Sequence, residues 1–453
     1  MTERRSKLGA MPMGRLVANV SLPLMISMLV QSMYNIVDGI YVSRIGEKAL
    51  AATALAFPAQ LLMIAVSVGT GVGVNSLLSR RLGERRHEEV GAGATNGLML
   101  SLLSSALFML AGFFAAKPFI AAFTPDAAIR EMGADYLRIC LIFSQGVFLA
   151  VMGERLLQAT GNTVLSMLAQ AFGALVNIAL DPVFIFGLLG VPQMGVTGAA
   201  IATVIGQFSA AILALLLNER KNHEVKFQFR GFRPDMRTIA GIYKVGLPTM
   251  VVQTTASVML VGMNKLLAAS TTAVALFGVY FKLQSFVFMP VSGLSQGLIP
   301  IVGYNYGAKN GGRVVSAYRV TVLIAAAIMA LGTLLFELFP REFLLMFDAG
   351  DEMRALGVPA LRIIAVSFIP MAVTVVSGFA CAGLGNGMVN MFGALLRQLV
   401  VLLPGAYLLE HFLGVAHVWY AFPLAELVAA TAAALYVRHE YRTRIRPLLS
   451  DKI

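Results

Sequence analysis

Leu98–Ala116 reads LMLSLLSSALFMLAGFFAA, nineteen residues without a charged side chain. At about 1.5 Å of rise per residue, an α-helix of that length crosses a hydrocarbon core of roughly 30 Å, and a strand would need far fewer residues. Ile201–Leu217 and Val320–Phe339 have the same character, with charge held back almost to their ends. Working outward from these stretches predicts an all-α integral membrane protein with twelve spans. They lie near 16–41, 54–78, 92–116, 136–157, 164–189, 196–217, 240–268, 273–303, 314–339, 357–380, 388–410 and 416–437. Composition agrees: the 453-residue chain is 58% hydrophobic and 13% charged, whereas soluble domains run near about 45–50% and 25%.

The net charge of +12 raises nucleic acid as a partner, but the positions of the basic residues assign it to topology instead. With the N-terminus inside, 23 Lys and Arg fall in the tails and even-numbered loops, Arg4, Arg5 and Lys452 among them. Only Arg44, Lys48, Lys117, Arg130, Arg341 and Arg354 fall in the odd loops. Both termini are therefore expected in the cytoplasm, with the protein in the cytoplasmic (inner) membrane and the bilayer as its partner. The first apolar stretch is of full spanning length with no small-residue cleavage site after it, so no cleaved signal is expected. Cys140 and Cys381 sit inside predicted spans and read as small apolar filler, not as a disulfide or metal pair.

The chain matches itself at an offset of 224. Gln60 meets Gln284, Gly69 meets Gly293, Gly73 meets Gly297, Gly83 meets Gly307, Gly161-Asn162 meets Gly385-Asn386, and Gly190-Val191 meets Gly414-Val415. Leu22-Pro23 meets Leu247-Pro248 one residue out of that register. Six helices repeat as a unit, and because six is even the two halves run parallel, an arrangement that places a cavity between two lobes. The expected division is an N-lobe over 1–218, an interlobe loop over 219–237, a C-lobe over 238–437 and a basic tail over 438–453. Arg233-Pro234-Asp235 breaks any helix trying to cross the loop.

An ionisable side chain inside a span costs about 2.5–3.5 kcal/mol on insertion scales, so each needs a reason. Gln31, Tyr34, Asn35 and Asp38 share one face of the first span, at spacings of three, four and seven. Gln170, Asn177 and Asp181 repeat the device in the fifth span, beside the small residues Gly173 and Ala174. Oxygen donors suit hard cations, so Asp38, Asn177 and Asp181, with the hydroxyl of Thr203, could hold sodium. The same carboxylates could instead carry a proton. A structural reading also stands: Asp38 reaching headgroups, and Asp181 capping a helix break before Pro182. Pro23 removes a backbone hydrogen bond inside the first span, a place for that helix to bend or a static kink.

The second half does not duplicate the acids, since Met263, Val401 and Gly405 stand opposite Asp38, Asn177 and Asp181. Gln253, Ser257 and Asn264 form a polar face there, and Lys265, Lys282 and Arg397 lie in or near spans. We take Gln31, Tyr34, Asn35, Gln253, Ser257, Asn264, Lys282 and Arg397 as candidate cavity residues; Arg138 and Arg362 occupy matching positions and read as structural. The twenty-four methionines serve as core packing or as an adaptable lining. There is no GxxxxGK[ST] loop, HExxH or CxxC, and the five histidines fall in loops or tails, so no enzymatic site emerges.

These residues resemble the MATE (multidrug and toxic compound extrusion) transporters, in the prokaryotic branch of DinF- and MepA-like members. The resemblance rests on Pro23 with Gln31–Gly39 (QSMYNIVDG), Gly69–Gly83, Gly195–Thr203 (GVTGAAIAT), and Lys282–Gly307 with its KLQSF and YNYG. It implies a V-shaped pair of lobes, alternating access, and a usually monomeric exporter of cationic or lipophilic compounds driven by H+ or Na+, with no other cofactor. By the same resemblance Asp38, Asn177, Asp181 and Thr203 match the N-lobe cation site and Pro23 the bending helix. The absence of acids in the seventh span, where Met263, Asn264 and Lys265 stand, counts against a C-lobe cation site. A lipid-linked precursor flippase of the same superfamily is the alternative.

Overall fold

The computed structural model describes residues 7–347 and 349–450, so Arg4, Arg5 and Lys452 lie outside the described residues. Among the described residues, ten helices are long and apolar enough to cross a membrane: Met13–Ser43, Glu47–Gly83, His87–Phe114, Thr163–Phe186, Gly195–Lys221, Met236–Leu267, Thr271–Gly307, Gly311–Leu338, Met388–Leu413 and Val415–Ile445. Two bent helix pairs pass the same test together, Ala127–Ile142 with Gln145–Ala159 at 46° and Asp351–Ala365 with Phe368–Gly383 at 47°, and bring the total to twelve if each pair is one span. Each falls on one of the twelve expected segments. No strand occurs among the described residues, as a bilayer requires of a bundle whose backbone groups must be satisfied within each span.

The sequence repeat is a geometric repeat. Glu47–Gly83 and Thr271–Gly307 have matching bounds at the 224 offset, as do His87–Phe114 and Gly311–Leu338. The two bent spans recur in the same register. Even the strained positions repeat: Arg85 and Lys309 have φ of 62° and 54°, Gly161 and Gly385 78° and 82°, and Gly190 and Gly414 82° and 87°. Arg85 and Lys309 close their helices in the same way. Arg86 N–H donates to Arg81 O at 3.0 Å and Asn310 N–H to Asn305 O at 2.8 Å, satisfying carbonyls that the helix end would orphan.

Packing divides the chain into two compact units, one of residues 1–25 and 251–453, the other of 26–250. Both divisions fall inside a helix, two residues after Pro23 and two after Pro248. These boundaries differ from the repeat boundary, because glycines in each unit admit the first turns of a proline-bearing helix. A Cβ on Gly73 would stand 2.2 Å from the Ile242 carbonyl oxygen, and one on Gly293 2.7 Å from that of Leu24. Only glycine permits such backbone approach.

The segment before Met236 is strapped to its own unit. Gln228 N–H donates to Thr95 Oγ1 at 2.9 Å and Asp235 N–H to Asn96 Oδ1 at 3.2 Å. The Asp235 carboxylate then accepts from Thr238 Oγ1 at 2.6 Å and from the amides of Arg237 and Thr238, which holds its pKa below the usual range.

Candidate functional site

The polar stripes of Met13–Ser43 and Thr163–Phe186 face each other within the 26–250 unit. Gln170 Nε2 donates to Gln31 Oε1 at 3.1 Å, and Gln31 Nε2 to Asn35 Oδ1 at 3.4 Å. Deeper along the same faces, Asn177 Nδ2 donates to Thr203 Oγ1 at 3.3 Å and lies 3.5 Å from Asp181 Oδ1. Asp181 is wholly buried, with Asn177 at 2% and Thr203 at 7% exposure. Close packing brings Thr203 there: Gly206 and Gly173 back directly onto each other between Thr163–Phe186 and Gly195–Lys221.

Tyr34 interacts with Asp38, Asp181 and Thr203, and the two carboxylates interact with each other. Three covered oxygens here have no hydrogen-bond donor: Asp38 Oδ1, Asn177 Oδ1 and Asp181 Oδ2. Buried acceptors are nearly always satisfied, and these are the donor type that a sodium ion or a proton completes. No group of three His, Cys, Asp or Glu comes together among the described residues, so the site is one of two carboxylates plus neutral oxygens.

Sequence reasoning missed two further residues at its edge, Gln60 and Tyr136. They meet at 3.5 Å beside Cys140 and Asp38. Gln60 was visible only as a repeat match. Cys140 and Cys381 are free and buried.

The 251–453 part is different. Arg397 Nη1 donates to Glu426 Oε1 at 2.7 Å, and both side chains are largely buried. Glu426 is a partner that sequence reasoning overlooked. Arg397 lies in a π-helical turn, Leu396–Leu402, where the widened coil shifts its side chain relative to a regular helix. Lys282 is exposed, with its ammonium 5.9 Å from the Phe347 ring centre. Gln253 and Ser257 are half-buried and Asn264 is exposed; the three are not joined by hydrogen bonds. Arg155, one of the 23 basic residues counted to the tails and even-numbered loops, is buried at 6% exposure and bonds Gln158 at 2.8 Å.

One family description, MatE, matches residues 23–183 and again 247–408, once in each half. The chain belongs to the MatE family. It is a membrane transporter and not an enzyme. Among curated relatives of this MatE protein is the FAD transporter of Shewanella oneidensis, 24% identical over 95% of this chain and 96% of the relative. The multidrug export protein MepA of Staphylococcus haemolyticus is 23% identical over 94% of this chain and 93% of its own. A solved outward-facing multidrug resistance MATE transporter of the MOP superfamily superposes with a TM-score of 0.91 at 27% identity, covering 99% of this chain and 100% of that one.

Proposed function

We propose that this protein exports cationic or lipophilic small molecules from the cytoplasm by antiport with H+ or Na+. The observation that carries the reading is the set of three covered, donorless oxygens on Asp38, Asn177 and Asp181. A cation entering there gives these oxygens the partner that no protein donor provides, and two interacting buried carboxylates are costly to keep charged without it. Tyr34 and Thr203 orient the site, and Pro23 is where the helix carrying Asp38 lacks a hydrogen bond and can bend.

The cycle follows from differential affinity. The cation binds the substrate-released conformation better, bends the Met13–Ser43 helix and expels substrate to the outside. The names of the MepA relative and of the multidrug resistance structure support this substrate class. The excess of Lys and Arg in the even loops supports cytoplasmic termini, and the protein is proposed to work as a monomer in the inner membrane.

A second reading has one observation behind it. Lys265 and Lys282 lie exposed with no carboxylate partner among the described residues, which suits an anionic substrate such as the flavin dinucleotide named for one relative. Arg397 adds less to this reading, or to a lipid-linked precursor flippase, because Glu426 already engages it. Purified protein in vesicles, loaded with ethidium and given a sodium or a proton gradient separately, tests the proposal. Efflux under one gradient, lost in Asp38→Asn, supports it; transport of FAD but not of ethidium would replace it with the anionic reading.

A further inference from the structure

A cleft of about 370 Å³ opens at the end of the 251–453 part that carries the C-terminal helix, between Gly311–Leu338, Phe368–Gly383 and Ala421–Glu440. Its walls are apolar, with Val314, Val315, Ala380, Leu384, Ala434 and Val437 among them. Ala434 is exposed and neighbours Leu435 at 62% exposure, so the cleft meets the face that lipid covers. Arg319 and Arg438 line the same cleft, both exposed, and neither has a hydrogen bond or ion pair among the described residues. The acid that lines the cleft with them, buried Glu440, is already engaged: it accepts from Asn386 at 2.7 Å and pairs with Arg444 at 3.0 Å. The cleft therefore offers two uncompensated guanidiniums above a greasy floor.

We propose that this cleft holds one anionic phospholipid, its phosphate between Arg319 and Arg438 and an acyl chain along Val315, Ala380 and Ala434. Guanidinium forks match phosphate oxygens, and basic pockets between spans at one leaflet select anionic headgroups. A cationic drug would be repelled by the same pair, and the basic segment Arg442–Arg446 that follows is no better an occupant. The site is separate from Asp38 and Asp181 and does not depend on which substrate is exported.

The test uses the full-length protein in detergent, titrated with phosphatidylglycerol and with phosphatidylcholine of equal chain length and read by native mass spectrometry. One phosphatidylglycerol should be retained in preference to phosphatidylcholine. The Arg319→Ala/Arg438→Ala double variant should weaken it by about tenfold or more. Ala434→Phe, which fills the floor and leaves the charges, should weaken it too, whereas Arg442→Ala, exposed outside the cleft, should not. Equal retention of the two lipids, an unaffected double variant, or displacement of the lipid by inorganic phosphate alone would overturn the proposal.

Discussion

Asn177 turns its amide nitrogen toward both Thr203 Oγ1, 3.3 Å away, and Asp181 Oδ1, 3.5 Å away, and this leaves its carbonyl oxygen buried and unpartnered. Two acceptors thus hold the nitrogen end of the amide, and its oxygen is left free to serve a cation. Asn177→Leu should keep the protein folded and weaken coupling-ion binding by about tenfold or more, since one oxygen ligand and its hydrogen bond are lost. Ion binding to purified protein checks this; unchanged affinity would remove Asn177 from the site.

Pro23→Ala restores a helix N–H and removes the residue least favourable in a helix interior, by about 3 kcal/mol. If the Met13–Ser43 helix bends during transport, this variant exports severalfold more slowly and melts no lower than the parent. Parental turnover would mean that the kink is static.

Backbone contact at Gly73 leaves no room for a side chain, with Ile242 O at 2.2 Å from a Cβ built there. Gly73→Val should therefore destabilise by several kcal/mol, roughly 3 or more, as overpacking against backbone that cannot yield. Gly278→Ala, in a helix with nothing within 4 Å, should be neutral or stabilise by about 1 kcal/mol. Thermal melts of both in the same detergent make the comparison.

Glu426→Gln leaves the buried Arg397 guanidinium without its counter-charge and should cost about 3–5 kcal/mol. Arg397→Met with Glu426→Leu removes both charges and should recover most of the loss. Thermal melts check this, and failure of the double variant to recover would show that the loss comes from packing rather than from an uncompensated buried charge.

Asp126 caps the Ala127–Ile142 helix and accepts from Lys48 at 2.9 Å; chiefly through that bond its pKa is held below the usual carboxylate range. A depressed folded pKa contributes stability that is complete above the unfolded value, about 3.9, and is lost as pH falls through the folded one. The melting difference between the parent and Asp126→Asn should thus be constant from pH 5 to 8 and shrink only at lower pH.

The twelve spans were legible in the sequence because bilayer thickness, not tertiary packing, sets their length. The 224-residue repeat was legible because Gly69, Gly73 and Gly83 are tied to helix contacts and ends that recur as Gly293, Gly297 and Gly307. That Gln31–Asp38 and Gln170–Asp181 each form one face followed from helical period; that the two faces meet, through Gln170 and Gln31, did not. Other features depend on packing. The bend at Val366-Ser367 is marked by Pro370, which cannot donate to the Val366 carbonyl four residues back, but the one at Phe143-Ser144 has only Gly146 beside it and no proline. Glu426 finds Arg397 across 29 residues of sequence, and the division of the packing units within two helices follows from glycines far along the chain.

Counterflow tests the central claim most directly, because coupling between two ligands must be reciprocal. Vesicles holding the protein and a steep gradient of substrate, with no ion gradient, are monitored for uphill movement of sodium or protons. The account predicts that one of the two cations moves uphill against the substrate, and that the movement disappears in both Asp38→Asn and Asp181→Asn. Substrate flux with neither cation moving, or counterflow that survives Asp181→Asn, would contradict it.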